Sequence, residues 1–194
     1  MTASRRLPLL VLLLSLALLG TASAVFLWQK TVPTTQASLI GGPFTLTATD
    51  GRTVTDADFK GHPFLVFFGY THCPDVCPTT LFSLSQVLKA LGPDTKLKVL
   101  FVTVDPARDT PKDMKDYLAN FDPRIIGLSG NEEQTRAIER AYRVYAKKVP
   151  GQGSDYSMDH TSIIYLMDKD GRFVSAFNPD QPAKTAAAQL ENYL

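Results

Sequence analysis

Cysteine and histidine are scarce in this sequence, which holds two cysteines and three histidines among 194 residues. A structural zinc site needs four ligands, usually from two cysteine pairs, so this scarcity argues against such a site. An excess of charge of one sign is also lacking, because the formal net charge is +1 and no basic run occurs. We therefore expect no nucleic-acid partner. The apolar content of 44% suits one domain with a proper core and a small appendage.

The N-terminal segment has the features of a membrane anchor. Arg5 and Arg6 precede an uncharged, mainly apolar stretch over residues 7–28, about as long as the roughly 20 residues that cross a bilayer. The positive-inside rule keeps the arginines in the cytoplasm and places the rest of the chain outside it. The alternative is a cleaved signal peptide with small residues at 22–24. Because apolar character resumes at residues 25–28, we favour an uncleaved anchor.

The sequence predicts three segments and a location. Residues 1–29 are predicted to be the cytoplasmic start and transmembrane anchor, residues 30–42 a linker rich in turn-forming residues, and residues 43–194 the folded domain. An Arg- and Ser-rich transit peptide is absent, so a bacterial envelope fits better than an organelle. We expect a single-pass protein of the bacterial inner membrane with its C-terminal domain in the periplasm. In that oxidising compartment the two cysteines can pair unless a metal or a reductant intervenes.

Both cysteines lie in residues 69–78, between a predicted strand and a predicted helix. Residues 64–68 form a short apolar run that is typical of a buried strand, and leucines at helical spacing follow Pro78. Pro78 fits the first helical position, which predicts Cys77 as the helix N-cap. Because the N-terminus of a helix carries partial positive charge, we expect it to lower the pKa of the Cys77 thiol and favour a reactive thiolate.

The spacing of Cys73 and Cys77 narrows the chemistry. Three residues separate them, whereas a thioredoxin-type redox pair has two. The wider spacing suits chelation of a metal, while a disulfide stays open if the Cα atoms come within reach. Two thiolates with one imidazole suit a soft ion of low coordination number, and Cu(I) is the leading candidate. A purely structural disulfide is disfavoured, because the short loop that it closes would constrain the unfolded chain little.

Strand and helix patterns alternate along residues 43–194 and predict an α/β fold. Turns at residues 50–51 and 168–171 indicate two hairpins, one near each end of the domain. Between them the sequence predicts buried strands at 64–68, 97–104, 124–128 and 161–167. It predicts helices from Pro78, from Pro111 and after Asn131, which caps a helix with Ile138, Tyr142 and Tyr145 on one face. A polar loop is predicted at 150–159. With a final helix, this order predicts a central mixed sheet flanked by helices, as in the thioredoxin-like fold.

His160 is the strongest candidate for a third metal ligand. It lies at the junction of the polar loop and a predicted buried strand, beside Asp159. As a ligand, its tautomer would be fixed by Asp159 or by a backbone carbonyl. The alternative is an ordinary surface or hydrogen-bonded histidine. We expect His72 and His62 to face solvent, and Met158 to fill a gap rather than bind metal.

Three charged residues are weaker candidates. Asp75, between the cysteines, is expected to cap local backbone N–H groups or to contact a metal ligand, or else to be an ordinary loop carboxylate. Asp105 and Arg108 follow a predicted strand, at the edge where open α/β sheets place their sites. They are expected to form either part of the site or a turn held by an ion pair.

Three segments resemble the signature segments of the Sco/SenC copper proteins. They are residues 69–78 (GYTHCPDVCP), residues 104–111 (VDPARDTP) and residues 155–161 (DYSMDHT). The resemblance implies a thioredoxin-like fold and a copper site made by Cys73, Cys77 and His160. It also implies a membrane-anchored copper chaperone that delivers copper to the dinuclear copper site of cytochrome c oxidase, or reduces the cysteines of that site.

The resemblance also implies partners, and it leaves two other functions open. The implied partners are the copper-receiving subunit of cytochrome c oxidase and another copper chaperone or a thioredoxin-like reductant, with Cu(I) as the cargo and Cu(II) left open. The alternative function is a thiol-disulfide oxidoreductase of the cell envelope, which needs Cys73 and Cys77 without an obligatory metal. A peroxidase-like reaction would need an activating threonine and arginine, for which Thr71 and Arg108 are the only candidates.

Overall fold

The computed structural model describes residues 40–153 and 155–194, together with Leu14, Gly20 and Thr21, which are helical. The chain divides into two units, Met1–Ala37 and Ser38–Leu194. Apart from those three residues, the predicted transmembrane segment lies outside the described part, and so does most of the predicted linker. Among the described residues, no helix has both the length and the apolar character that crossing a membrane requires.

The elements of the second unit follow the alternating order that the sequence predicts. The strands are β1 (Thr45–Ala48), β2 (Thr53–Thr55), β3 (Phe64–Gly69), β4 (Lys98–Thr103), β5 (Ile125–Ser129), β6 (Ala146–Pro150), β7 (Tyr156–His160), β8 (Ile164–Met167) and β9 (Phe173–Phe177). The α-helices are α1 (Val76–Ala90), α2 (Pro111–Leu118), α3 (Glu132–Ala141) and α4 (Ala183–Glu191). A short 3-10 helix, Asp56–Phe59, follows β2.

Within the described part of the chain, seven strands form one mixed sheet in the order β2-β1-β5-β4-β3-β8-β9. The three central strands, β3, β4 and β5, are parallel, and β1 and β8 pair with them antiparallel. β3 and β4 pair from Phe64 opposite Lys98 to Gly69 opposite Thr103, so both strands end at the same edge. The predicted α/β fold with a central mixed sheet is confirmed.

The core lies on both faces of this sheet because successive side chains of a buried strand point to opposite faces. On one face, Leu65 and Phe67 of β3 lie in a buried cluster with apolar residues of α1, α2 and α4. On the other face, Val66 and Phe68 lie in a cluster with Ile138 of α3. Full burial of each such side chain stabilises the fold by about 1.5–3 kcal/mol. The end of β3 is therefore a rigid base for the cysteines that follow it.

Three local predictions are wrong. The segment predicted as a polar loop, residues 150–159, contains most of β7, which pairs with β6 in a separate sheet among the described residues. The strand predicted from residue 161 begins at Ile164. The helix that Asn131 caps ends at Ala141, and Tyr145 is exposed. The residues of β6 are mostly exposed, so this strand lacks the apolar alternation by which a strand is recognised in a sequence.

Candidate metal centre

Cys73 and Cys77 lie in the connection from β3 to α1, at the carboxyl edge of the parallel strands. The helix begins at Val76 with Asp75 as its N-cap residue, so Cys77 is the second residue of the helix. The predictions that Cys77 is the N-cap and that Pro78 opens the helix are wrong. Proline is tolerated here because N–H groups in the first turn of a helix have no intrahelical partner.

The two sulfur atoms have different environments. The Cys77 side chain is buried in the core with 0% exposure, whereas Cys73 is half-buried, and both are free thiols. The backbone N–H of Cys77 donates to Sγ of Cys73 at 3.4 Å. The start of α1 therefore directs one of its backbone N–H groups, which carry partial positive charge, at the sulfur of Cys73.

Burial raises the pKa of the Cys77 thiol, and the neighbouring Cys73 and Asp109 raise it further. The expected lowering of this pKa is therefore wrong. A thiolate in the core loses the hydration that stabilises its charge, and this loss outweighs the effect of the helix N-terminus. Cys77 is consequently a protonated thiol at neutral pH until an ion or another reactant replaces the proton.

His160 is the last residue of β7, and its ring is held in one orientation. Its Nδ1 atom lies 3.0 Å from the carbonyl oxygen of Thr161. Because a carbonyl oxygen only accepts, this contact places the proton of the neutral ring on Nδ1 and leaves the lone pair on Nε2. The buried Tyr70 ring packs edge-on against the imidazole, with centroids 5.8 Å apart. Of the two groups expected to fix this tautomer, the structure therefore provides a backbone carbonyl.

The structure brings His160 next to the cysteines although it lies 83 positions after Cys77 in the sequence. Nε2 of His160 lies 4.0 Å from Sγ of Cys77. A soft ion with bonds of about 2.3 Å to sulfur and about 2.0 Å to nitrogen, the lengths typical of zinc, can span this separation. As they stand, no three His, Cys, Asp or Glu side chains in the described part are close enough to share a metal ion. A shared site therefore requires a local rearrangement, and Cys73, Cys77 and His160 stay a predicted ligand set.

The other candidates make different contacts. His62 and His72 are exposed, as expected, and Met158 is half-buried within β7. Oγ1 of Thr71 donates to a carboxylate oxygen of Asp109 at 2.6 Å. Nε of Arg108 donates to Oδ2 of Asp105 at 2.5 Å, which is the ion-paired turn considered above. Both groups that a peroxidase-like site would use are thus engaged elsewhere.

Sequence reasoning missed three residues that surround the candidate site. Tyr70 packs against the ring of His160, Asp109 accepts hydrogen bonds from the cysteine loop, and Tyr156 is tied to Arg108. All three lie within the segments that carry the family resemblance. Their position in those segments was the available signal, but their contacts join residues that are far apart in the sequence.

The fold and this site define a class. The chain forms a thioredoxin-like α/β domain in which two free thiols and an oriented imidazole lie at the strand-to-helix edge of the sheet. This donor set suits the binding of a soft metal ion or thiol-disulfide exchange.

Comparisons with known proteins agree with this class. The family model described as SCO1/SenC matches residues 32–194, so the chain belongs to the SCO1/SenC family. The chain is 39% identical over 160 residues to the human mitochondrial SCO1 homolog, a match that covers 80% of this chain and 53% of the human protein. The chain thus spans about half the length of that relative.

Solved structures are similar as well. The structure of Bradyrhizobium japonicum ScoI with copper bound has a TM-score of 0.78 and 58% sequence identity, covering 80% of this chain and 99% of that chain. BsSco, described as a member of the Sco family of cytochrome c oxidase assembly proteins with a disulfide switch, has a TM-score of 0.63 and 25% identity. That match covers 78% of this chain and 91% of BsSco.

Proposed function

We propose that this chain is a copper chaperone that binds Cu(I) through Cys73, Cys77 and His160. The observation that carries the proposal is the 4.0 Å separation of the Cys77 sulfur from Nε2 of His160, with the proton of that imidazole directed to the Thr161 carbonyl. Thiolates and neutral imidazole are ligands that Cu(I) prefers. The copper-bound structure of the 58% identical ScoI supports the same cargo for this chain.

The recipient we propose is the subunit of cytochrome c oxidase that carries the dinuclear copper site. Support comes from the description of BsSco as a member of a family of cytochrome c oxidase assembly proteins. A copper-donating chaperone would supply the ion before this step. A thioredoxin-like reductant would also act earlier, because both cysteines must be reduced before the site can hold Cu(I). We infer ligand exchange as the route of transfer, in which incoming thiolates replace the thiolates of this chain one at a time.

Burial of Cys77 favours release of the ion in such an exchange. While copper is bound, the ion replaces the thiol proton and neutralises the sulfur. Once an incoming thiolate has taken the ion, the buried sulfur regains a proton, because burial raises the pKa of this thiol. The chaperone therefore holds the copper ion less tightly than a site with two exposed thiolates would hold it.

We also propose that residues 1–29 anchor the chain in the bacterial inner membrane, with the folded domain in the periplasm. Arg5 and Arg6 before a long uncharged stretch support this orientation. An anchor would confine the copper site to the membrane surface at which cytochrome c oxidase is assembled.

A second candidate function is supported by a separate observation. Both cysteines are free, and the amide of Cys77 touches the sulfur of Cys73, so the two residues are neighbours in space. The pair can reduce a disulfide of a target protein, passing on two electrons and two protons while Cys73 and Cys77 become a disulfide. This oxidoreductase function does not need His160.

The copper proposal predicts that the apparent affinity for Cu(I) rises with pH. Each thiol that binds the ion must lose its proton, so affinity rises about tenfold per pH unit for each proton released. Because burial raises the pKa of Cys77, this thiol is protonated across neutral pH and contributes one such proton. We expect an increase of at least about a hundredfold from pH 6 to pH 8. The measurement is competition with a chromogenic Cu(I) chelator whose own pH dependence is known, and an unchanged affinity would contradict thiolate ligation.

A further inference from the structure

The predicted copper donors belong to two parts of the fold that their own strands do not join. Cys73 and Cys77 follow β3 of the central sheet, whereas His160 ends β7, which pairs with β6 in the smaller of the two sheets among the described strands. Three residues, 161–163, connect His160 to β8, which pairs with β3, so β7 is joined to the central sheet at its C-terminal end. The start of β7 has to be positioned by other contacts. The β4–α2 loop, residues 104–110, lies between these two parts and contains no cysteine, histidine or methionine.

Asp109 in this loop holds the segment that carries the cysteines. Its side chain is fully buried, and its carboxylate accepts hydrogen bonds from the backbone N–H of Thr71 at 3.0 Å and from Oγ1 of Thr71 at 2.6 Å. Oγ1 of Thr103, at the end of β4, donates to the same carboxylate at 2.6 Å. A buried carboxylate is costly unless such donors satisfy it, so these contacts fix Thr71, two residues before Cys73.

Arg108, the preceding residue, holds the strand that carries the histidine. Nη1 of Arg108 donates to the carbonyl oxygen of Tyr156 at 2.9 Å, and the guanidinium lies 3.6 Å from the centroid of the Tyr156 ring. The hydroxyl of Tyr156 donates to Oδ1 of Asp105 at 2.8 Å, and Oδ2 of that carboxylate accepts from Nε of Arg108. Tyr156 is the first residue of β7, and His160 is its last.

We propose that the β4–α2 loop sets the distance between the imidazole and the thiols of the copper site. Arg108 and Asp109 are adjacent in the chain, so the two contacts they make tie β7 and the cysteine segment to one short piece of backbone. Both are positioning residues, because they act through Tyr156 and Thr71 rather than through the ion. This inference rests on the proposed copper function, and it assigns a role to a segment that holds no ligand.

The proposal predicts that weakening either contact lowers affinity for Cu(I) by about tenfold to a hundredfold, the usual effect of losing a residue that orients a metal ligand. The variants are Arg108→Lys, which loses the planar donor to the Tyr156 carbonyl, and Asp109→Asn, which loses an acceptor for Thr71. Since both contacts control the same distance, the double variant should lose less affinity than the product of the two single effects.

A control variant separates positioning from general stability. Arg124 is matched to Arg108, because it also pairs with an aspartate, donates Nη1 to a backbone carbonyl and is similarly buried, with 15% of its side chain exposed against 18%. Its partners are Asp122 and Gly92, at the far end of β5. Arg124→Lys should cost a similar amount of stability and leave the affinity for Cu(I) unchanged.

The test is competition on the 194-residue chain with a chelator weak enough for His160→Ala to retain measurable Cu(I), with Arg108→Lys measured alone and combined with His160→Ala. Without the imidazole there is no nitrogen donor left to position, so Arg108→Lys should cost less than about twofold in the His160→Ala background. An equal loss of affinity in both backgrounds, or no loss of affinity in the chain that keeps His160, would overturn the proposal. If Arg108→Lys does not fold, Tyr156→Phe removes the bond to Asp105 and is read by the same two comparisons. A wild-type chain that does not bind Cu(I) would instead overturn the proposed function.

Discussion

Replacing Cys77 with serine is expected to lower the affinity for Cu(I) by about a hundredfold to a thousandfold. The binding free energy of structural zinc in small peptides, about 10–16 kcal/mol over four ligands, gives the scale for one lost ligand. Serine keeps nearly the same shape, but its hydroxyl is a hard ligand that does not ionise at neutral pH. The pH dependence of affinity should also weaken, because one thiol proton no longer leaves. Chelator competition at pH 6 and pH 8 measures both effects.

Met158→Leu is the control for this prediction. Met158 is half-buried in β7, two residues from His160, and its thioether is the other soft group on this strand. Leucine has a similar volume, so the fold should tolerate the change. Unchanged affinity in Met158→Leu is expected. If this variant loses as much affinity as Cys77→Ser, the ligand set would have to include the thioether.

Replacing Gly69 with alanine is expected to destabilise the fold by about 2–3 kcal/mol and to disturb the cysteine site. A Cβ atom at this position would lie 2.6 Å from Cε2 of Phe101 and 2.8 Å from Sγ of Cys77. Phe101 and Cys77 are both fully buried and cannot move freely. Urea unfolding measures the lost stability, and chelator competition should show weaker binding of Cu(I), because the sulfur of Cys77 has to shift.

Gly42→Ala provides a matched control. The added Cβ atom would lie 3.4 Å from Cβ of Ala141, an ordinary contact, and the φ angle of Gly42 does not demand glycine. We expect a change in unfolding free energy within about 0.5 kcal/mol. A loss of stability in Gly69→Ala no larger than in Gly42→Ala would mean that the end of β3 is less tightly packed than described.

The central sheet could be predicted because its signals are local. Apolar runs predicted β3, β4 and β8, and the turn residues predicted the hairpins of β1 with β2 and of β8 with β9. Asn131 and Pro111 were equally informative. Asn131 accepts a hydrogen bond from the third residue of α3, and Pro111 is the first residue of α2. Burial on both faces forces such strands to be continuously apolar, and this pattern is visible in a single sequence.

The remaining features depend on contacts that a sequence pattern does not contain. The start of α1 was misplaced by two residues because proline is also stable later in the first turn. The pKa of Cys77 was expected to fall because the sequence shows that this residue lies at the start of a helix. The sequence does not show that its side chain is buried, and burial raises the pKa. β7 alternates between half-buried and exposed residues, but its polar composition was interpreted as a loop, and its pairing with β6 is visible only in the structure. His160 could be named, but its approach to Cys77 is a property of the fold.

The most direct test of the copper site is a Cu(I) titration of the full 194-residue chain beside His160→Ala, under reducing conditions and with a competing chelator. The reduced wild-type chain is expected to retain one copper ion per chain. His160→Ala should lose it to the chelator while keeping both free thiols, because the imidazole supplies a donor that the thiols do not replace. If His160→Ala retains copper as tightly as the wild type, or if the wild type retains none, the cysteine and histidine site would be contradicted. A thiol-disulfide function of Cys73 and Cys77 would then describe the chain better.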